Sequence, residues 1–107
     1  MAKEILKLNA DNFKQALGVE DKLVIVDFYA SWCGPCKMLS PILEALNEEL
    51  SEDYIFAKID IDECFEIAKS YSVMSVPSLI AFRNGAEVKR LIGVKPKDEL
   101  KREIENI

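Results

Sequence analysis

The segment Leu23-Val24-Ile25-Val26-Asp27-Phe28-Tyr29-Ala30-Ser31-Trp32-Cys33-Gly34-Pro35-Cys36-Lys37 reads as a strand that runs almost directly into a helix. From Leu23 to Ala30 it is apolar on both faces except at Asp27, the pattern of a central strand covered on either side. Beyond the second cysteine, Met38, Leu39, Ile42, Leu43, Leu46 and Leu50 form one stripe at helical spacing, so a long helix follows residues 33–36. Pro41 sits inside that helix and is expected to kink it.

Upstream, Ile5, Leu6 and Leu8 suggest a short first strand. Phe13, Ala16 and Leu17 suggest a helix with Asn9 or Asp11 as N-cap and Gly18 as its stop. Downstream, residues 54–59 read as a third strand, and Cys64, Ile67, Ala68 and Tyr71 follow the i, i+3, i+4, i+7 pattern of a third helix. Residues 76–82 and 87–92 read as two further strands, joined antiparallel by the Asn84-Gly85 turn. Leu100, Ile104 and Ile107 mark a last helix, with Pro96 near its first turn. This order predicts an α/β protein with a central mixed five-stranded sheet flanked by four helices. No linker, repeat or charge block divides residues 1–107, which are expected to form one domain.

Composition narrows the chemistry. With 50% apolar and 31% charged residues, the chain has the balance of a soluble globular protein and not of a disordered, collagenous or coiled-coil one. Lys and Arg number 14 against 19 Asp and Glu, a net charge of −5, so nucleic acid is not an expected partner. There is no histidine, which removes Ser-His-Asp and Cys-His catalysis, histidine proton shuttles and histidine-containing metal sites. The longest apolar runs, residues 23–26 among them, have four residues, far too few to cross a bilayer. Met1-Ala2-Lys3-Glu4-Ile5-Leu6 has neither the apolar stretch nor the small-residue cleavage site of a signal peptide. A cytoplasmic, reducing compartment is the expectation, and there closely spaced cysteines point to redox or metal chemistry.

Cys33 and Cys36, at i and i+3 on a first helical turn, point the same way. Their Cα atoms should lie about 5–6 Å apart, within disulfide reach. Pro35 suits a first turn and, with Gly34, shapes the short ring that a disulfide would close. Cys33 meets the unpaired N–H groups and the positive end of the helix dipole, which favour a thiolate. Cys36, one turn inward, is placed to attack a disulfide made at Cys33. Three readings compete: a zinc site, an inert pair and a reversible dithiol–disulfide couple. Zinc would need four ligands from Cys33, Cys36, Cys64 and a carboxylate, an unusual set. Inert cysteines would not be expected to flank Gly-Pro at a helix start, so the redox couple is the preferred reading, with no metal and no bound cofactor.

The run from Val26 to Lys37, with Trp32-Cys33-Gly34-Pro35-Cys36 at its heart, resembles the thioredoxin family. The likeness continues through Lys58, Val76-Pro77 and Gly93 over nearly the whole chain. It implies the thioredoxin fold and a general protein-disulfide reductase, recharged by a thioredoxin reductase. The implied targets are disulfide-containing proteins such as ribonucleotide reductase, peroxiredoxins and methionine sulfoxide reductases, and a monomer is expected.

Asp27 is read two ways from the residues alone: a buried carboxyl that relays a proton at Cys36, or a solvated strand-end aspartate. The resemblance favours the first and brings Lys58, otherwise an ordinary exposed lysine, close to Asp27. It also implies a cis-proline at Pro77 beside the cysteines, leaving the backbone of Val76 free to pair with an extended substrate. Trp32, Ile61, Ser75, Val76, Gly93 and Val94 are implied as the substrate rim, although each alone would suit core packing or turn chemistry. Cys64 shares a stripe with Ile67, Ala68 and Tyr71 and reads as a reduced core cysteine, with a regulatory thiol as the other possibility. Tyr29 and Ser31 depart from the tryptophan and acidic residue common in bacterial members, which touches substrate preference and not the chemistry. Two alternatives stay open: a thiol oxidase or isomerase on the same fold, and a non-redox binding module.

Overall fold

The apolar segment does become the middle of a sheet. In the computed structural model, which describes residues 4–107, the order is β1 (Leu6–Lys7), α1 (Phe13–Leu17), β2 (Leu23–Tyr29), α2 (Gly34–Leu50), β3 (Tyr54–Asp60), α3 (Phe65–Ser70), β4 (Ser78–Arg83), β5 (Ala86–Ile92) and α4 (Lys97–Glu105). Met1, Ala2 and Lys3, weighed above as part of a leader, lie outside the described residues. The strands are arranged β1-β3-β2-β4-β5. β3 runs parallel to both β1 and β2, while β4 runs antiparallel to β2 and β5. The expected mixed five-stranded α/β sheet with four helices is therefore present.

Strand alternation sorts the apolar residues into two layers. Leu23 and Ile25 of β2 join Leu39, Leu43, Leu46, Leu100 and Ile104 under α2 and α4. Val24, Val26 and Phe28 face the other way and pack with Phe13, Leu17, Ala68 and Phe82 near α1 and α3. Asp27 continues the Leu23–Ile25 side, so the alternation that builds the core also carries a carboxyl beneath α2. It is opposite Lys58 on β3 and Leu79 on β4.

Several local expectations change. Met38 is 65% exposed, because the buried stripe of α2 is Cys36, Leu39, Leu43, Leu46, Asn47 and Leu50, and Met38 stands one residue off it. The N-cap of α1 is Asn12 and not Asn9 or Asp11. Asn9 acts one turn earlier, its Oδ1 accepting the N–H groups of Asp11 (2.8 Å) and Asn12 (3.0 Å). Cys64 is the N-cap of α3, half-buried at the edge of the second core layer, where burial pushes its thiol up. β4 begins at Ser78, since Val76 and Pro77 are joined by a cis peptide and stand outside the ladder. Ile107 lies past α4 but still packs against the first layer. The hairpin turn is as expected, with Asn84 at φ 52° and Gly85 at φ 84°. No helix among the described residues is long and apolar enough to cross a membrane.

Candidate active site

Between the end of β2 and the start of α2, the chain makes a short turn in which the Cys33 N–H bonds the Ala30 carbonyl at 3.2 Å. Cys33 is the N-cap of α2, and its sulfur does what a capping oxygen normally does: Sγ accepts the Cys36 N–H at 3.2 Å. Pro35 lies in the first turn, where a missing N–H is harmless. Both cysteines are free thiols and both are buried, at 4% and 5% exposure. On its other side the Cys33 thiol donates to the Val76 carbonyl at 3.7 Å. A thiolate at Cys33 would thus rest against a helix N-terminus, while Cys36 stands one turn further along α2 and is buried to the same degree.

Burial, with the hydrogen bond to the Cys33 thiol second, pushes the Cys36 thiol up to about 12. Behind it, Asp27 is 5% exposed, and its Oδ1 has no hydrogen-bond partner among the described residues. Desolvation raises its carboxyl from 3.8 to about 7, against the Lys58 charge, which lowers it. Asp27, Cys36 and Lys58 line one small hollow of about 180 Å³, together with Tyr29, Ser31 and Ser40. One hollow is therefore lined by a thiol that resists ionisation and a carboxyl that titrates near neutrality.

In front of Cys33 a groove of about 410 Å³ is lined by Trp32, Gly34, Pro35, Ile61, Ser75 and Val76, with Val73 and Met74 completing one wall. Pro77 is buried behind this wall, and its carbonyl accepts the Gly93 N–H at 2.9 Å, Gly93 holding φ 87°. Val94, just beyond, rests half-buried on the first core layer rather than in the groove. Sequence reasoning passed over Met74, which is 93% exposed at the groove, and Asp62, whose Oδ2 accepts the Trp32 Nε1–H at 2.8 Å. An exposed methionine carries no pattern. Asp62 was more legible, because Asp60 Oδ1 accepts the N–H groups of Asp62 (2.8 Å) and Glu63 (3.3 Å), a turn that Asp-x-Asp-Glu after a strand announces. No three His, Cys, Asp or Glu side chains gather to hold a metal among the described residues.

The model of the family described as Thioredoxin matches residues 4–106. The chain belongs to the thioredoxin family. It is 41% identical over 102 residues to Thioredoxin of Alicyclobacillus acidocaldarius, covering 95% of this chain and 96% of that one. Against Thioredoxin of Chlamydia trachomatis it is 48% identical over 93 residues, 87% of this chain and 88% of the other. The structure of a mutant thioredoxin from Halobacterium salinarum superimposes with a TM-score of 0.87 at 39% identity, covering 96% of this chain and 89% of that chain. With the Cys33/Cys36 dithiol in place, the protein is a protein-disulfide oxidoreductase, as thioredoxins are. Members of the family act on disulfide substrates and are generally reduced by thioredoxin reductase.

Proposed function

We propose that this protein is a general reductase of protein disulfides, working in the cytoplasm as a single-domain monomer. Cys33 is the nucleophile and Cys36 the resolving thiol. The Cys33 thiolate attacks one sulfur of the target disulfide, forming a mixed disulfide and releasing the target's other sulfur as a thiolate. Cys36 then gives its proton to Asp27, attacks Cys33 Sγ and expels the second target thiolate. Two electrons have passed to the target, and the protein leaves with a Cys33–Cys36 disulfide. A thioredoxin reductase returns the two electrons. Ribonucleotide reductase, peroxiredoxins and methionine sulfoxide reductases are targets of the expected kind, and no metal or bound cofactor takes part.

One observation carries this reading: the Cys33 sulfur, capped by the Cys36 N–H at 3.2 Å, opens onto an apolar groove, while Cys36 backs onto Asp27. A thiol held near 12 is almost fully protonated at neutral pH, so its attack needs a base within reach. Asp27, titrating at about 7, can both take and return that proton. Lys58 keeps part of the Asp27 population ionised through its charge. Gly34 and Pro35 hold the ring between the cysteines, and Trp32, Ile61, Ser75 and Val76 meet the target, with Pro77 and Gly93, joined by the Gly93 N–H to the Pro77 carbonyl, supporting them, while Val94 packs on the core and takes no part. The test is a pair of variants mixed with an oxidised protein substrate. Cys36→Ser should accumulate a covalent complex that reductant dissolves, and Cys33→Ser should form none. A Cys33→Ser variant that still reduces disulfides would overturn the assignment of the nucleophile.

A further inference from the structure

Arg90 lies outside the groove, on β5 opposite Ile80 of β4, yet each of its three guanidinium nitrogens makes a hydrogen bond. Nε donates to Glu87 Oε2 at 3.0 Å and Nη2 to Glu87 Oε1 at 2.9 Å, a two-pronged grip on one carboxylate. Nη2 also donates to the Tyr71 carbonyl at 2.7 Å, and Nη1 to the Ser72 carbonyl at 3.3 Å. Those carbonyls belong to the exit of α3. There the Ser72 N–H bonds the Lys69 carbonyl and the Val73 N–H reaches back to Ala68, each at 3.0 Å. This is a helix-ending motif whose turning residue usually is glycine; here Ser72 takes it, at φ 54°. A side chain in that conformation is disfavoured, so external bonds to its carbonyl and its neighbour's help to hold it. From this turn the chain passes straight into the wall formed by Val73, Met74, Ser75 and Val76 beside Cys33.

We propose that Arg90, oriented by Glu87, is a positioning residue for protein substrates: it fixes the exit of α3 and so the groove wall that an incoming polypeptide meets. The inference rests on the groove being the substrate surface. A small disulfide reagent needs only the Cys33 sulfur, whereas a protein disulfide also needs the wall. Loosening the clamp therefore acts on recognition of proteins and spares the exchange chemistry.

The test uses Arg90→Gln and Arg90→Lys in the full chain. Lysine keeps the charge but, with one nitrogen, cannot grip Glu87 and two carbonyls together. KM and kcat are measured for insulin with dithiothreitol as electron source, and the single-turnover rate is measured with 5,5′-dithiobis(2-nitrobenzoate). Both variants should raise KM for insulin roughly three- to tenfold, the scale of one lost hydrogen bond, with kcat and the small-disulfide rate within about twofold. Trp32→Ala, read in the same assay, tests the groove itself. If Trp32→Ala raises KM and neither Arg90 variant does, the clamp is wrong and the groove stands. Should Trp32→Ala leave KM unchanged, the groove reading falls and the clamp falls with it. An equal loss of both activities in the Arg90 variants also overturns the proposal, since Arg90 would then act on the fold or on the cysteines. If Arg90→Gln does not fold cooperatively, Arg90→Lys and Glu87→Gln carry the comparison.

Discussion

Replacing Asp27 by asparagine should make the protein more stable, and the gain should depend on pH. In the folded chain the carboxyl is raised from 3.8 to about 7, first by desolvation. Between those values the native state holds a proton that the unfolded state has released, so stability falls as pH rises through this window and levels off above about 7. At about 1.36 kcal/mol per tenfold, the rise from 3.8 to about 7 amounts to about 4 kcal/mol of stability lost to the ionised carboxyl. Asparagine has nearly the same shape and no charge, so Asp27→Asn keeps the packing beneath α2 and removes the pH-dependent loss. The stability gap between variant and wild type should therefore widen by about 4 kcal/mol between roughly pH 4 and pH 9, with most of the change complete near pH 7. Urea unfolding at a series of pH values, with both cysteines kept reduced, measures it directly. Titrating groups that do not interact with Asp27 are common to the two proteins and cancel in the difference, and Cys36, held near 12, stays protonated in the folded state over this range. A gap that stays flat across that range, or narrows as pH rises, would refute the claim that Asp27 is buried with a raised pKa.

Two further outcomes follow from neighbouring residues. Lys58→Met removes the charge that lowers the Asp27 carboxyl, so Asp27 should titrate higher in the variant than in the wild type; carboxyl-carbon NMR titrations of both that gave the variant an equal or lower value would break the link between the two. Leu46→Ala, at a site in the middle of α2 with 0% exposure, should cost about 2–5 kcal/mol in urea unfolding, and a loss under about 1 kcal/mol would contradict its place in the core.

The sheet was legible because its strongest strand is also its central one. Six of the seven residues of β2 are apolar and all but Tyr29 are buried, so the run that reads as covered on both faces is the run that is. The dithiol was legible for a related reason: the cysteine spacing and Gly-Pro act locally, within one helical turn, and the geometry at Cys33 needs nothing from the rest of the chain. Residues defined by long-range contacts were harder. Lys58 has no pattern of its own in β3 and gains its meaning from the strand register that sets it opposite Asp27. Met38 looked like core because a helical stripe read from sequence is wider than the face that packing uses. Met74 lines the groove and Asp62 holds its Trp32 only because the loop after β3 and the exit of α3 converge beside Trp32. The clamp at Arg90 spans 19 residues to Tyr71, a pairing that no local pattern announces.

The same burial that makes Asp27 expensive makes it useful. A carboxylate in water has an affinity for protons far too low to draw one from a thiol held near 12, whereas one raised to about 7 is a stronger base by about three powers of ten. In the proposed mechanism, stability and resolution of the mixed disulfide are therefore opposed at this position. Asp27→Asn should gain stability at neutral pH and, having no proton acceptor behind Cys36, should release a trapped target more slowly by an order of magnitude or so, within the usual contribution of one positioned base. Quenched-flow measurement of the mixed-disulfide lifetime separates this from a change at Cys33, which would alter the first attack instead. If the variant were stabilised yet resolved its mixed disulfide at the wild-type rate, burial of Asp27 would stand and its part in the chemistry would not.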